Sequence, residues 1–271
     1  MATGCSSTKI GYDTAPLWLG WQLDRYLNLD DAQRELVSAK LEALQRWHRQ
    51  TQLPGYIAFL KDVESRLSGD VSAADFEQWR RHAVQAWEPV AVRLAPDMAA
   101  LAMTLRPAQI DRLAQRLADS NDEWRREHMP AEARALAKAR GDRLLKRARW
   151  FVKDLRPGQE DEIRALAADL PPSEALWLAE RQARQQAVVA VLSRIARERP
   201  PLPEAERWAR ETLLGLATSR DPQRREALAR SAAASDQASA TVLARADASQ
   251  RRAAAARLRG FADDFRILAS R

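Results

Sequence analysis

Leu105-Arg-Pro-Ala-Gln-Ile-Asp-Arg-Leu-Ala-Gln-Arg-Leu-Ala-Asp-Ser-Asn-Asp-Glu-Trp124 carries the signals that decide the fold. Pro107 falls at a first helical position, where its missing N–H is no loss, and the Gln109 side chain falls where it can reach back to the amide before the helix. Behind that start, Ile110, Leu113, Leu117 and Trp124 recur at helical spacing with charged residues between them. Similar stripes run through Leu36/Val37, Leu41, Leu44 and Trp47, through Phe76, Trp79, Ala83 and Trp87, and through Leu176, Ala179, Ala183, Ala187, Val191 and Ile195. Alternating stretches flanked by hairpin dipeptides are missing and β-branched residues are sparse. The class expected is all-α: an elongated multi-helix bundle of roughly eight to ten helices with a long C-terminal helix.

Pro and Gly mark the breaks at Leu53-Pro54-Gly55, Gly69, Pro130, Pro157-Gly158, Pro171-Pro172 and Pro200-Pro201-Leu202-Pro203. The last is the best boundary, which divides the chain into a linker over 1–14, a main helical domain over 15–199 and a C-terminal helical segment over 200–271 packed on it. In that segment Leu228, Ala232, Ser235, Ser239, Val242, Ala246, Ser249, Ala253 and Ala256 form a heptad-like seam of small residues. They predict one long helix, or two with a break near Asp247.

With 271 residues, 30% charged and 46% hydrophobic, the chain can bury a sizeable core. Its longest apolar candidate, Thr14 to Leu23, lies between Asp13 and Asp24 and is too short to cross a bilayer as a helix. The formal charge of +7 is patchy: residues 105–157 and 194–271 are basic, whereas 1–104 and 158–193 are mildly acidic. Arg134, Lys138, Arg140, Arg143, Lys146, Arg147 and Arg149 face only Asp142, opposite an apolar side of Ala137, Gly141, Leu144, Ala148, Phe151 and Leu155. This amphipathic cationic helix is either a solvated face or a surface for an anionic ligand or partner.

The helix start recurs as Leu29-Asp-Asp-Ala-Gln33, Leu155-Arg-Pro-Gly-Gln159 and, degenerately, Ala246-Asp-Ala-Ser-Gln250. Asp30 and Asp247 can accept from first-turn amides; Arg106 and Arg156 cannot, so those two helices begin with a weaker cap. The pattern resembles the LTxxQ motif of the Spy and CpxP family of periplasmic proteins, small all-helical chaperones or stress modulators. Asp or Arg stands where that family has Thr, and independent helix initiation accounts for the four segments equally well.

The single cysteine excludes an internal disulfide framework and a Cys-rich zinc site. Ala2-Thr3-Gly4-Cys5-Ser6-Ser7 resembles the end of a bacterial lipobox, in which Cys5 would receive diacylglycerol; the charged and hydrophobic leader is absent from this chain. Gly11-Tyr12, Trp21, Asp24-Arg25-Tyr26, Trp47-His48-Arg49, Leu53-Pro54-Gly55-Tyr56, Asn121-Asp-Glu-Trp124 and Trp177 through Gln186 resemble a family of uncharacterised proteobacterial lipoproteins. That resemblance implies a lipid anchor at Cys5 and a periplasmic address, and Ser after the Cys implies the outer membrane.

No chemistry is legible. His48, His82 and His128 lack metal-ligand spacing and are read as packed or capping side chains, and phosphate loops and nucleophile elbows are missing. No catalytic residue, metal or cofactor is expected. The nine Trp residues are expected to fill a core otherwise built from Ala, with Arg neighbours snorkelling outward, while Trp18 and Trp21 can rest at headgroup level beside the anchor. The function expected is a lipid-anchored periplasmic binding protein, chaperone-like or an envelope scaffold, whose partners are the membrane and an unfolded or envelope protein. The alternative, a cytosolic basic protein binding nucleic acid, lacks a helix-turn-helix or stacking motif.

Overall fold

A computed structural model describes residues 7–271, and among them every regular element is a helix. The order is α1 (Ser7–Asp13), α2 (Ala15–Leu27), α3 (Asp31–Thr51), α4 (Leu53–Arg66), α5 (Ala73–Gln85), α6 (Trp87–Ala102), α7 (Pro107–His128), α8 (Ala133–Phe151), α9 (Pro157–Leu166), α10 (Glu174–Glu198), α11 (Leu202–Leu214), α12 (Pro222–Ala244) and α13 (Ala248–Ala269). The bundle is elongated and ends in the long helix expected.

These thirteen helices exceed the eight to ten expected because three rods are kinked rather than ended. Single residues in the right-handed helical region, Thr14, Gln52 and Ala86, join α1 to α2, α3 to α4 and α5 to α6. Pro16, Pro54 and Pro89 lie within the first turn after each junction, and each lacks the N–H that would continue the ladder. Residues 7–13, read as linker, are instead the helix α1, held by ion pairs from Lys9 to Asp264 and from Arg49 and Arg271 to Asp13.

Helices α2–α13 form two interlocked six-helix units with the same order of contacts. In the first, α2 packs on α3, and α6 leads into α7; in the second, α8 packs on α9, and α12 leads into α13. Each unit lends its middle pair to the other: α4 lies along α13 and α5 along α12, while α10 lies along α7 and α11 along α6. Two cores result. The first joins Leu27, Val37, Ala95 and Leu113 to Ile195 and Trp208; the second joins Leu144, Ile163, Leu243 and Leu258 to Val63 and Trp79. The prolines at 200–203 therefore turn the chain between α10 and α11, two helices of the same core.

Small residues set the helix spacing. Ala91, Ala95, Ala99 and Ala102 on α6 are fully buried, as are Ala205 and Ala209 on α11, so these helices approach closely. The alanines close most of this contact by themselves, and only Trp79 and Trp208 are buried; Trp18, Trp21, Trp150 and Trp177 are exposed, against the expectation that Trp fills the core. The break expected near Asp247 is present, and it resets the helical phase. Val242 and Ala246 of the expected seam are buried, but in α13 the inward positions are Gln250, Ala254, Leu258 and Ala262, while Ser249 and Ala256 face outward.

Candidate functional site

The four helix starts are brought together as two pairs with the same wiring. Gln33 accepts from the Asp30 amide at 3.1 Å, and Gln109 accepts from the Arg106 amide at 3.0 Å. The two side-chain amides then bind each other, Gln33 Nε2 donating to Gln109 Oε1 at 3.2 Å and Gln109 Nε2 to Gln33 Oε1 at 2.7 Å. Their remaining N–H groups donate to Thr104 O and Asn28 O, each 3.0 Å away. Every bond has a counterpart in the second pair. Gln159 and Gln250 exchange bonds of 3.2 and 2.9 Å, accept from the Arg156 and Asp247 amides at 3.0 Å, and donate to Arg245 O and Asp154 O. Asn28 and Asp154, at corresponding places, both have left-handed backbone. Leu29 and Leu105 are buried beside the first pair, and Leu155 is half-buried beside the second.

Glutamine suits this clamp because its oxygen takes two donors while its NH₂ supplies two, so a buried pair is left with nothing unsatisfied. The weak caps are also explained. Arg106 cannot cap its own helix, but its guanidinium donates to Asp30 at 2.8 Å, and Arg156 likewise donates to Asp247 at 3.0 Å. Each pair thus combines one capping Asp with one Arg. Hydrogen bonds from the Gln33 and Gln250 backbones, aided by those arginines, hold the Asp30 and Asp247 carboxyls below the usual aspartate range.

The cationic segment lies on α8, and its charges are largely met within the fold. Arg140 and Arg143 converge on Glu174, both at 2.6 Å, Lys138 pairs with Asp142, and Arg149 pairs with Glu160. Burial pushes the Glu174 carboxyl up, but Arg140, a backbone hydrogen bond and Arg143 together more than offset it and leave it low. Arg147 instead donates to a neutral oxygen, Ser235 Oγ, at 2.9 Å; Arg134 and Lys146 point to solvent. The histidines are packed on rings: His82 stacks on Phe59, His128 on Trp124, and Nδ1 of His48 meets the Tyr12 hydroxyl at 2.8 Å beside Tyr56. Burial lowers the His48 pKa and raises that of Tyr12 to about 12, so the imidazole and the phenol are both neutral near pH 7. Among the described residues, no group of His, Cys, Asp and Glu is arranged to hold a metal, and no helix is long and apolar enough to cross a membrane. Cys5 lies outside the described residues.

The second core contains an apolar cavity of about 450 Å³ between α4, α5, α8, α12 and α13, with walls that include Phe59, Phe76, Trp79, Phe151, Val242 and Leu258. A second cavity of about 800 Å³ adjoins it; Arg80, Arg147, Ser235 and Asp236 line both. Arg81, Arg184 and Arg225 also line the larger one. Arg80 grips Asp236 through Nε at 3.1 Å and a terminal nitrogen at 2.8 Å, forming the partition between the two spaces. Of this constellation only Arg147 stands out in the sequence as a candidate binding residue, and Ser235 only as part of a helical seam. The aromatic residues register there as ordinary core stripe, and nothing local distinguishes a stripe that closes from one that lines a cavity.

Residues 25–211 match the model of a family of unknown function, DUF6279. The chain belongs to that family. No curated protein and no solved structure matches the chain. The DUF6279 match includes three of the four helix starts and most of the apolar wall supplied by α4, α5 and α8. It ends inside α11, so the Gln250 start and the wall supplied by α12 and α13 lie beyond it.

Proposed function

We propose that this DUF6279 protein is a non-catalytic binding protein held at a bacterial envelope membrane by acylation of Cys5, with α1 and α2 resting on the lipid surface. Outer-membrane attachment facing the periplasm is the address this reading assigns. One observation carries it. Ile10, Leu17, Trp18 and Trp21 are 52, 74, 56 and 58% exposed, and their spacing places them on one face of the nearly continuous α1–α2 rod. Large apolar side chains rarely cluster on a solvated surface without a purpose. The guanidinium of Arg25 lies 5.8 Å from the Trp21 ring centre, a combination that suits the boundary between hydrocarbon and headgroups. The rod starts two residues after Cys5, so an acyl chain there would bring this face to the membrane.

The internal pairing of the α8 cations weighs against the nucleic-acid reading, and the stacked histidines support a binding role without acid–base chemistry. The test is fractionation of cells expressing the chain with a lipoprotein leader. The native chain should sediment with outer membranes, Cys5→Ser exported behind a leader that is cleaved without lipidation should be soluble in the periplasm, and Leu17→Ser/Trp18→Ser/Trp21→Ser should leave acylation intact while weakening vesicle binding of the unacylated chain. Sedimentation of Cys5→Ser equal to that of the native chain would overturn the anchor.

A further inference from the structure

We propose that the second core binds a single-chain anionic amphiphile, with its apolar tail in the 450 Å³ cavity and its anionic head among the arginines of the adjoining one. The proposal goes beyond membrane attachment and does not depend on it. The apolar cavity falls within the size range of small-molecule sites, and its walls are aromatic and aliphatic except for Ser239, whose hydroxyl is spent on the Ser235 carbonyl, and for Arg80, Arg147, Ser235 and Asp236, which mark the junction. That junction leads into a space lined by five arginines and one carboxylate, Asp236, which is already committed to Arg80.

Two of those arginines are poised for an anion. Arg147 donates to Ser235 Oγ and Arg225 to the Ser219 carbonyl, and among the described residues neither makes an ion pair. A carboxylate or phosphate would exchange neutral acceptors for charge-assisted bonds. Trp79 adds a polar signal on the apolar side: it is 9% exposed and its Nε1–H has no acceptor among the described residues, an unusual state for a buried indole. An extended apolar peptide fits this layout less well, because it would bring a row of backbone N–H and C=O groups into a cavity whose polar partners are confined to one end.

The test is calorimetric titration of the full chain carrying Cys5→Ser, so that failure of the anchor leaves the result untouched. The probes, all kept below their micelle concentrations, are dodecanoate, dodecyl phosphate and dodecyl maltoside. One site per chain is expected for both anions, with the neutral maltoside at least about tenfold weaker, the scale of a lost charge-assisted bond. Arg147→Gln should weaken both anions about tenfold and leave the maltoside unchanged. A preference between the anions then assigns a carboxylate or a phosphate head. Ala148→Phe should abolish binding by filling the cavity; Ser239→Phe, at a half-buried position on the same wall, does the same with less demand on folding, and circular dichroism checks both folds. Equal affinity for the maltoside, binding that survives Ser239→Phe, or displacement of dodecanoate by a reduced and alkylated unfolded protein would each overturn the proposal.

Discussion

In the first core Ala95 of α6 lies ten residues before Leu105; in the second, Asp236 of α12 lies ten residues before Ala246, the corresponding helix start. The facing helices correspond as well. Glu206-Arg-Trp-Ala-Arg210 of α11 matches Glu77-Gln-Trp-Arg-Arg81 of α5, so Ala209 has Arg80 as its counterpart. Where one core has a buried alanine on each of the facing helices, the other holds a two-pronged ion pair. An Arg–carboxylate pair needs more room between backbones than two alanines, and the two cavities open on either side of it. Helix length adds to the difference. α3 has 21 residues but its counterpart α9 has only 10, and the loop after α9 contributes Leu170 and Pro171 to the larger cavity. The same clamp therefore supports one core closed by alanines and another left open.

The sharpest way to break the comparison is to give the closed core half of the open core's device. Ala95→Asp places a carboxylate without a partner where the side chain is fully buried, and thermal or urea unfolding should show a loss of about 3–5 kcal/mol. Adding Ala209→Arg should recover part of that loss if the positions truly correspond.

A smaller effect is expected at the clamps. Gln33→Leu leaves the Asp30 amide and the Thr104 carbonyl without these donors and acceptors and removes both bonds exchanged with the buried Gln109 side chain, a loss of about 2–3 kcal/mol. Gln159→Leu breaks the same bonds in a more exposed setting, and about half that loss is expected in the same unfolding measurement. Equal losses at the two sites would show that the clamps do not differ in burial energy.

Smaller again is the response to converting the open core toward the closed one. Arg80→Ala/Asp236→Ala removes both partners together and should change stability by about 1 kcal/mol or less, while amphiphile binding falls as the partition disappears. Asp236→Ala alone should be worse than the double variant, because it strands Arg80.

The smallest effect concerns His48, which lies on the part of α3 extending beyond the end of α9. Burial lowers its folded pKa, so the unfolded chain takes up the proton first as pH falls. Its contribution to stability is full above the unfolded value of about 6.5 and is lost as pH drops from there toward the folded value. Unfolding midpoints compared between pH 7.5 and 5.5 should show a shallower decline in His48→Phe than in the native chain.

Much of this was legible without coordinates. The helix starts at Leu29, Leu105, Leu155 and Ala246, the absence of strands and the break near Asp247 are written in local chemistry, because capping and periodicity act within a few residues. The clamp residues carry the same local signal. Their pairing is not written there, since nothing in Leu29 to Gln33 specifies a partner 76 residues away. The cationic face of α8 was visible, but its neutralisation by Glu174 and Glu160 was not, because those carboxylates arrive from other helices.

The sequence by itself therefore determined that the chain is helical, where most helices begin, and that its surface is basic in patches. Tertiary structure alone decided that α4–α5 and α10–α11 change places, that four helix starts make two clamps, and that Arg80 meets Asp236. The reason is physical: capping and amphipathic spacing are short-range properties, whereas the space between packed helices depends on which two side chains meet there, and that is fixed only when the whole chain is folded.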